Sequence, residues 1–136
     1  AWEAALGAPG YPKRRRGGHV EPIIVCAELY MRLGDDEVLV LDCRDAADWE
    51  RYDLHIPGAL RMTCAEIARD HHMLPDDELI VLCGCSPDGR DTRRVCRLLR
   101  MKGREAVCLD GGLLAWVTGG FPTERHTRAP LAAMPR

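Results

Sequence analysis

The sequence predicts an α/β domain with a central, mostly parallel sheet and helices on both faces. Three short runs of apolar, mostly branched residues lack polar alternation, as is typical of strands buried on both faces: 38–41, 79–82 and 106–109. Segments with helical periodicity separate these runs. Strands that alternate with helices along a chain are joined by right-handed crossover connections, so neighbouring strands are expected to be parallel.

The remaining elements follow from the same patterns. A short strand is predicted over 23–25, and helices over 27–33, 46–52, 64–69, 92–102 and 112–117. Gly103 directly follows the helix over 92–102, and the Gly119-Gly120 pair closes the last helix, as stop signals do. Residues 1–22 and 124–136 lack apolar periodicity, so we expect flexible ends around a domain at 23–123. The basic run 13–16 favours a solvated tail over contact with RNA, an acidic protein or a membrane.

Composition places the chain among soluble globular domains. Its 136 residues are 46% apolar and 29% charged, and the formal net charge is -2. This balance disfavours nucleic acid or a membrane as a partner of the whole chain. No apolar run reaches the length of a membrane span and no secretory signal is apparent, so we expect a cytoplasmic protein.

Cysteine usage points the same way. The seven cysteines are Cys26, Cys43, Cys64, Cys83, Cys85, Cys96 and Cys108. Their odd number and their position inside apolar runs argue against a secreted disulfide framework. Most are therefore interpreted as small buried side chains in a reducing compartment.

The carboxyl ends of two strands are the places where chemistry is expected, because parallel sheets bind ligands there. They are the segments 42–44 and 83–85. After the second strand, the loop 83–92 leads to a helix, with Asp91 or Thr92 as the expected N-cap. Backbone amides of such a loop, with Arg90, can favour a thiolate and lower a cysteine pKa. The alternative is that Cys83 is only the last buried residue of its strand.

Three separated segments resemble the rhodanese family, and they follow one another in the family's order. The first leads from 38–41 through Asp42-Cys43-Arg44 and Trp49-Glu50 to His55-Ile56-Pro57-Gly58-Ala59. The second is the strand 79–82 with Cys83 and the loop and helix after it. The third is Gly111-Gly112-Leu113-Leu114-Ala115-Trp116, followed by Gly120-Phe121-Pro122. The resemblance covers about residues 23–123 and implies a rhodanese-like fold.

The same resemblance implies a sulfurtransferase that carries sulfane sulfur as a cysteine persulfide. The family places its nucleophile directly after the strand, which favours Cys83. The number of residues between cysteine and Arg90 instead favours Cys85, as a partner of Cys83 or a substitute for it. The implied substrate-binding loop contains Gly84, Ser86, Asp88, Gly89, Arg90, Asp91 and Thr92. Asp42 and Arg44 are expected to support it, with Arg44 paired to an acid such as Asp48 or Glu50.

The implied partners are a small sulfur donor, thiosulfate or a persulfide, and a thiol or cyanide-type acceptor. A protein persulfide is a further possible partner, and no cofactor or metal is expected. The negative charges of Asp88 and Asp91 oppose thiosulfate and favour a persulfide donor. Leu54 stands where the family usually has Gly before the His-Ile-Pro-Gly turn.

Three alternatives remain open at this stage. One is a rhodanese-like module that binds a partner without catalysis. Another is a phosphatase or arsenate reductase, which requires five residues between Cys and Arg, whereas six separate Cys83 from Arg90 and four separate Cys85 from it. The third is a metal site built from Cys83 and Cys85 with Cys64 or His71-His72. We interpret His55 as structural and Trp116 as a core residue.

Overall fold

The protein is described by a computed structural model over residues 13–16, 19–85 and 89–126. Its central sheet has the strand order β1–β2–β7–β6–β3–β5. These strands are β1 (Lys13–Arg16), β2 (His19–Ile24), β3 (Val38–Asp42), β5 (Leu60–Arg61), β6 (Leu79–Cys83) and β7 (Glu105–Leu109). From β2 to β5 all neighbours are parallel, and β1 adds to the edge in the antiparallel sense. The predicted α/β class with a mostly parallel sheet is confirmed.

Helices connect the strands close to the predicted positions. They are α1 (Cys26–Arg32), α2 (Ala46–Arg51), α3 (Cys64–Asp70), α4 (Arg90–Met101) and α5 (Gly112–Thr118), with a 3-10 turn at His71–Met73. A second sheet pairs β4 (Leu54–His55) with β8 (Glu124–Arg125) in the antiparallel sense. No helix of the described residues is both long and apolar enough to cross a membrane.

Each face of the sheet carries its own hydrophobic core, because successive side chains of a strand point to opposite faces. On one face, Val81 and Cys83 of β6 pack with Leu29 of α1 and Trp116 of α5. On the other face, the neighbouring residues of β6 pack with side chains from α3 and α4: Ile80, Leu82, Ile67, Val95 and Leu99. Cys83 therefore belongs to the α1–α5 core. Trp116 is completely buried there and confirms its interpretation as a core residue.

Parts of both predicted flexible segments lie in secondary structure. Residues 13–16 and 19–22 lie in strands, although a flexible lead-in was expected over 1–22. At the other end, β8 and His126 pack on β4 and Trp49. Both attachments depend on backbone pairing or ring stacking, which leave no apolar period in the sequence. Residues 1–12 and 127–136 lie outside the described residues, and the domain limits stay a prediction.

The turn after β4 forms as predicted. The Ala59 amide donates to the Ile56 carbonyl at 3.1 Å, and Gly58 has a φ of 78°. Pro followed by a residue with positive φ is the arrangement of a type II turn, which favours Gly at that position. His55, just before the turn, hydrogen-bonds through Nδ1 to Nδ1 of His126 at 3.1 Å, in keeping with a structural role.

A buried ion pair lies at the carboxyl end of β3. Arg44 donates from Nε and Nη2 to the two carboxylate oxygens of Asp42, at 2.9 and 2.7 Å. It also donates to the carbonyls of Tyr52 and Leu54, at 2.9 and 3.1 Å. Both side chains are 1% exposed. The expectation that Arg44 pairs with Asp48 or Glu50 is therefore wrong: the bidentate geometry with Asp42 satisfies the guanidinium inside the protein.

Removal of Arg44 is expected to be strongly destabilising. Arg44→Ala leaves the Asp42 carboxylate buried without its partner and frees two carbonyls, so we expect a loss of about 3–5 kcal/mol in the free energy of unfolding. Urea denaturation followed by circular dichroism measures this loss. Arg69→Ala is the control, because the Arg69–Asp70 pair is exposed, and its denaturation midpoint should stay nearly unchanged. Similar midpoints for both variants would contradict the structural role of Arg44.

Candidate active site

The end of β6 is held on both sides by backbone hydrogen bonds. Asp42 of β3 and Cys83 of β6 are register partners in the parallel sheet. The Cys43 amide donates to the Cys83 carbonyl at 2.9 Å, and the Leu113 amide of α5 donates to the Gly84 carbonyl at 2.9 Å. The chain is thus anchored up to Gly84, and Cys85 is the first residue beyond this anchor.

Gly84 lies close to Thr92 of α4 and to Gly112 of α5. A Cβ atom at Gly84 would be 2.2 Å from Oγ1 of Thr92. A Cβ atom at Gly112, which has a φ of 61°, would be 2.6 Å from the Gly84 carbonyl oxygen. Neither distance leaves room for a side chain, so glycine at both positions allows the strand end to seat against the helices.

The start of α4 differs from the prediction. The helix begins at Arg90, and its N-cap is Gly89 with a φ of 64° and no capping side chain. The expectation of Asp91 or Thr92 as N-cap is wrong. Thr92 is buried instead, and its Oγ1 lies 3.7 Å from Sγ of Cys43. The Thr92 hydroxyl therefore packs beneath Gly84 and does not cap the helix.

Cys83 is placed in the core. Its side chain is 1% exposed and belongs to the same cluster as Val81 and Trp116. Burial, and then the negative charge of Asp42, raise the pKa of Cys83 well above its usual value. A thiol that is both inaccessible and protonated is a poor nucleophile. The structure therefore does not favour Cys83 as the nucleophile.

Cys85 instead opens onto a pocket of about 440 Å3. Its side chain is partly exposed. The pocket lies between α5 on one side and α2 with residues 52–54 on the other. Besides Cys85, its lining residues are Asp48, Arg51, Tyr52, Asp53, Leu54, Leu113, Leu114 and Val117. This volume lies in the range of small-molecule sites. Cys85 is thus the accessible thiol of the Cys-Gly-Cys segment.

The pocket wall was largely missed by the sequence analysis. Of the residues that line it, only Cys85 had been proposed as a site residue. The signal that could have found the wall is the acidic and aromatic segment 48–53, which directly follows the Asp42–Arg44 strand end. Because β3 and β6 are neighbours, their carboxyl ends bring that segment close to Cys85.

The surroundings of Cys85 raise the pKa of its thiol, whereas the sequence predicted a lowered pKa. Burial and the nearby Asp48 carboxylate raise the pKa of Cys85, while Arg44 and then Arg51 act in the opposite direction. The sequence had suggested that the loop would lower this pKa. The effect of Arg44 is opposed by its partner Asp42, whose carboxylate raises the pKa of Cys85. In the described structure the thiol form of Cys85 is favoured at neutral pH.

The other residues of the proposed loop are placed as follows. Ser86 and Asp88 lie outside the described residues, so the orientation of the loop amides stays a prediction. Arg90 and Asp91 are exposed at the start of α4, and Asp91 lies 3.8 Å from Arg94. Gly84 and Thr92 pack beneath the loop, and Asp42 and Arg44 hold the adjacent strand end.

A second pair of thiols lies below the loop. Cys43 is buried, and its Sγ donates to the Cys83 carbonyl at 3.3 Å. Cys64 is partly exposed, and its hydrogen bond with Cys43 is the main cause that lowers the pKa of Cys64. Cys64 is therefore a competing reactive thiol for any experiment on Cys85.

Among the described residues, no group of three or more His, Cys, Asp or Glu side chains converges in a way that could hold a metal ion.

Comparison with known proteins identifies the class to which this fold and site belong. The family model of the rhodanese-like domain matches residues 25–118. The rhodanese-like domain of an Anabaena protein is 33% identical, with coverage of 85% of this chain and 89% of that one and a TM-score of 0.64. The chain belongs to the rhodanese-like domain family, and the resemblance noted in the sequence is confirmed.

Other relatives carry more specific names. A thiosulfate sulfurtransferase structure from Pseudomonas aeruginosa is 29% identical over 76% of this chain and 19% of that chain, with a TM-score of 0.63. Thiosulfate/3-mercaptopyruvate sulfurtransferase 2 of Arabidopsis thaliana is 31% identical over 135 residues, 76% of this chain and 38% of the relative. An HTH-type transcriptional regulator of Mycobacterium tuberculosis is 34% identical over 113 residues, 79% of this chain and 46% of the regulator. The chain thus spans less than half the length of these two curated relatives.

The close approach at Gly84 generates a stability prediction. Gly84→Ala should cost about 1–3 kcal/mol, because the added methyl group overlaps Oγ1 of Thr92. Thr92→Ala removes that oxygen, and the next atom, the Thr92 Cβ, would lie 3.5 Å from the new methyl group at an ordinary contact distance. The double variant should therefore be more stable than the sum of the two single losses predicts. A urea double-mutant cycle measures this coupling, and additive losses would show that the contact does not limit position 84.

The charges around Cys85 generate a reactivity prediction. Asp48→Asn removes the carboxylate that helps to raise the pKa of Cys85, so the pKa should fall and a larger thiolate fraction should be present at neutral pH. Iodoacetamide alkylation of Cys85, followed by peptide mass spectrometry across a pH series, should shift to lower pH. Arg51→Gln should shift the same profile to higher pH, since Arg51 acts in the opposite sense.

Asp77→Asn is the matched control for this prediction, because Asp77 is exposed and does not line the pocket. It changes the net charge by the same amount and should leave the profile in place. Shifts of equal size in the Asp48 and Asp77 variants would mean that net charge, and not the local carboxylate, governs Cys85.

Proposed function

We propose that this rhodanese-like domain is a sulfurtransferase that moves sulfane sulfur through a persulfide on Cys85. The observation that carries the proposal is the contrast between the two thiols of the segment. Cys85 opens onto a pocket of about 440 Å3, whereas Cys83 is buried in the core. A thiol that exchanges sulfur with a second molecule must be reachable by that molecule, and Cys85 meets this requirement.

The first half-reaction loads the enzyme. The Cys85 thiolate attacks the outer sulfur of a donor persulfide R–S–SH, or the sulfane sulfur of thiosulfate. The new bond joins Sγ to that sulfur, and the donor S–S bond breaks. Its electron pair leaves with R–S⁻ in the first case and with sulfite in the second. The product is a persulfide on Cys85, formed without a redox cofactor or metal.

The second half-reaction discharges the enzyme. An acceptor thiolate or cyanide attacks the outer sulfur of the Cys85 persulfide, and the Sγ–S bond breaks with its electron pair on Sγ. Cyanide becomes thiocyanate, and a thiol becomes a new persulfide. We propose that backbone amides of the loop 85–89 hold the terminal sulfur. The helix α4 follows this loop directly and begins at Arg90.

Three findings support this proposal. The chain is a member of the rhodanese-like family, and relatives from Arabidopsis and Pseudomonas are named as sulfurtransferases. The free cysteines of the described chain suit a reducing compartment, and we propose a cytoplasmic location on that basis. The proposed partners are a thiosulfate or persulfide donor, including a protein persulfide, and a thiol or cyanide-type acceptor.

Thiocyanate formation from cyanide, with thiosulfate or a low-molecular-weight persulfide as donor, tests the proposal. Cys85→Ser should lower the rate at least about a hundredfold, because the sulfur nucleophile is lost. Cys83→Ala is the matched control and should keep activity within about threefold when assayed well below its unfolding midpoint. Intact and peptide mass spectrometry of the donor-treated protein should place the added sulfur on Cys85.

Other sites of sulfur addition would overturn the assignment. An added sulfur on Cys83 would restore the sequence-based preference for that residue. An added sulfur on Cys64, retained in Cys85→Ser, would show that the lowered pKa of Cys64 outweighs the pocket next to Cys85.

A second candidate is a rhodanese-like module that binds a partner without turnover. The similarity to a transcriptional regulator from Mycobacterium tuberculosis favours it, as does the raised pKa of Cys85. If no donor produces thiocyanate and no cysteine gains sulfur, this candidate replaces the enzyme.

A further inference from the structure

The pocket beside Cys85 has largely apolar walls. Leu54 is half-buried on the side of the small sheet, and Leu113 and Val117 project from α5. Leu114 and Tyr52 lie at the more open part of the pocket, where they are 65% and 48% exposed. A ligand that fills this space is therefore surrounded mainly by hydrocarbon, which favours apolar groups next to the reacting sulfur.

The charged residues of the pocket are balanced among themselves. Arg51 lies 3.8 Å from the Asp48 carboxylate, and Arg125 forms an ion pair with Asp53. Arg51 is the one cationic side chain among the described residues that line the pocket. A bound anion would therefore compete with a protein carboxylate for its positive charge.

Arg44 does not add a cation for a ligand. Its guanidinium is buried, and its hydrogen bonds go to Asp42 and to the carbonyls of Tyr52 and Leu54. The described residues that line the pocket therefore offer little positive charge that is not already paired.

We propose that this pocket selects uncharged, apolar thiols and their persulfides over anionic sulfur compounds such as thiosulfate. The inference rests on the proposed function, since it concerns the molecule that exchanges sulfur with Cys85. In the discharging step, the uncharged acceptor R–SH reacts as its thiolate with the outer sulfur of the Cys85 persulfide. R–S–SH leaves with the transferred sulfur, the Sγ–S bond breaks, and Cys85 returns to the thiolate.

Three acceptors of similar size and different charge test the selectivity: 3-mercaptopropionate, its amide and its methyl ester. The protein is first loaded with inorganic polysulfide, desalted, and checked by peptide mass spectrometry for sulfur on Cys85. Loss of the added sulfur is then timed with each thiol. Each rate is divided by the rate at which the same thiol reduces a free low-molecular-weight persulfide, which removes differences in intrinsic nucleophilicity.

The normalised rates of the ester and the amide should exceed that of the carboxylate by about five- to tenfold, with the ester fastest, because a carboxylate in the pocket faces Asp48 and Asp53 without an available cation. Added salt should reduce the difference, as expected for partly exposed charges.

Leu114→Lys provides the sharpest variant, because it places a cation at the exposed part of the pocket without disturbing the core. It should raise the normalised rate of 3-mercaptopropionate severalfold and leave the rate of the amide nearly unchanged. Leu60→Lys is the matched control: Leu60 is 51% exposed on β5 and does not line the pocket. This control should retain the wild-type order of the three thiols.

The outcomes separate the two levels of the proposal. Sulfur on Cys85 with equal normalised rates for the three thiols overturns the selectivity and leaves the sulfurtransferase function standing. Equal effects of Leu114→Lys and Leu60→Lys also overturn it, since the pocket would then not be the place of discrimination. Failure of Cys85 to accept sulfur from polysulfide and also from the persulfide of 3-mercaptopropionamide, whose organic group is uncharged, overturns the proposed function itself.

Discussion

The buried ion pair between Arg44 and Asp42 is the interaction on which the candidate site depends. It joins the end of β3 to the backbone of Tyr52 and Leu54, and so positions the segment that forms one wall of the pocket. A carboxylate and a guanidinium without water are stable only when they satisfy each other, which makes the pair sensitive to the loss of either partner. The same pairing withdraws Arg44 from any ligand, so the structural role and the scarcity of positive charge near Cys85 have one cause.

The two thiols of the Cys-Gly-Cys segment differ because β6 ends between them, at Cys83. Leu79, Val81 and Cys83 share one face of β6, and that face is covered by α1 and α5. Gly84 then brings the chain close to Thr92 and the backbone of α5, and Cys85 emerges beyond these contacts. Access from the pocket is therefore decided by the position of each cysteine relative to the last hydrogen bonds of β6. The cysteine that ends the strand is a core residue, and the one two residues later faces the pocket.

The raised pKa of Cys85 has a consequence for how the domain would work. Burial and Asp48 keep the thiol protonated, so reactivity toward the wrong electrophiles is reduced while no substrate is bound. For the proposed sulfur transfer, the thiolate of Cys85 would therefore have to form when a ligand binds. Cys64 has the opposite character, with a lowered pKa and partial exposure, yet it does not line the pocket.

The sequence by itself determined the order of the elements, the parallel sheet and the family, because these depend on local periodicity and on three motifs with fixed order. It also predicted a functional site at the strand end near residue 83. Only the tertiary structure decided that Arg44 pairs with Asp42, that Thr92 packs under Gly84 and that α2 supplies the pocket wall. These outcomes depend on contacts between segments distant along the chain, and no local pattern records which partner a buried charge or a close-packed glycine will meet. The proposed choice of Cys85 over Cys83 belongs to the same class, since it follows from where β6 ends and from the packing of Trp116 and Leu113 around Cys83.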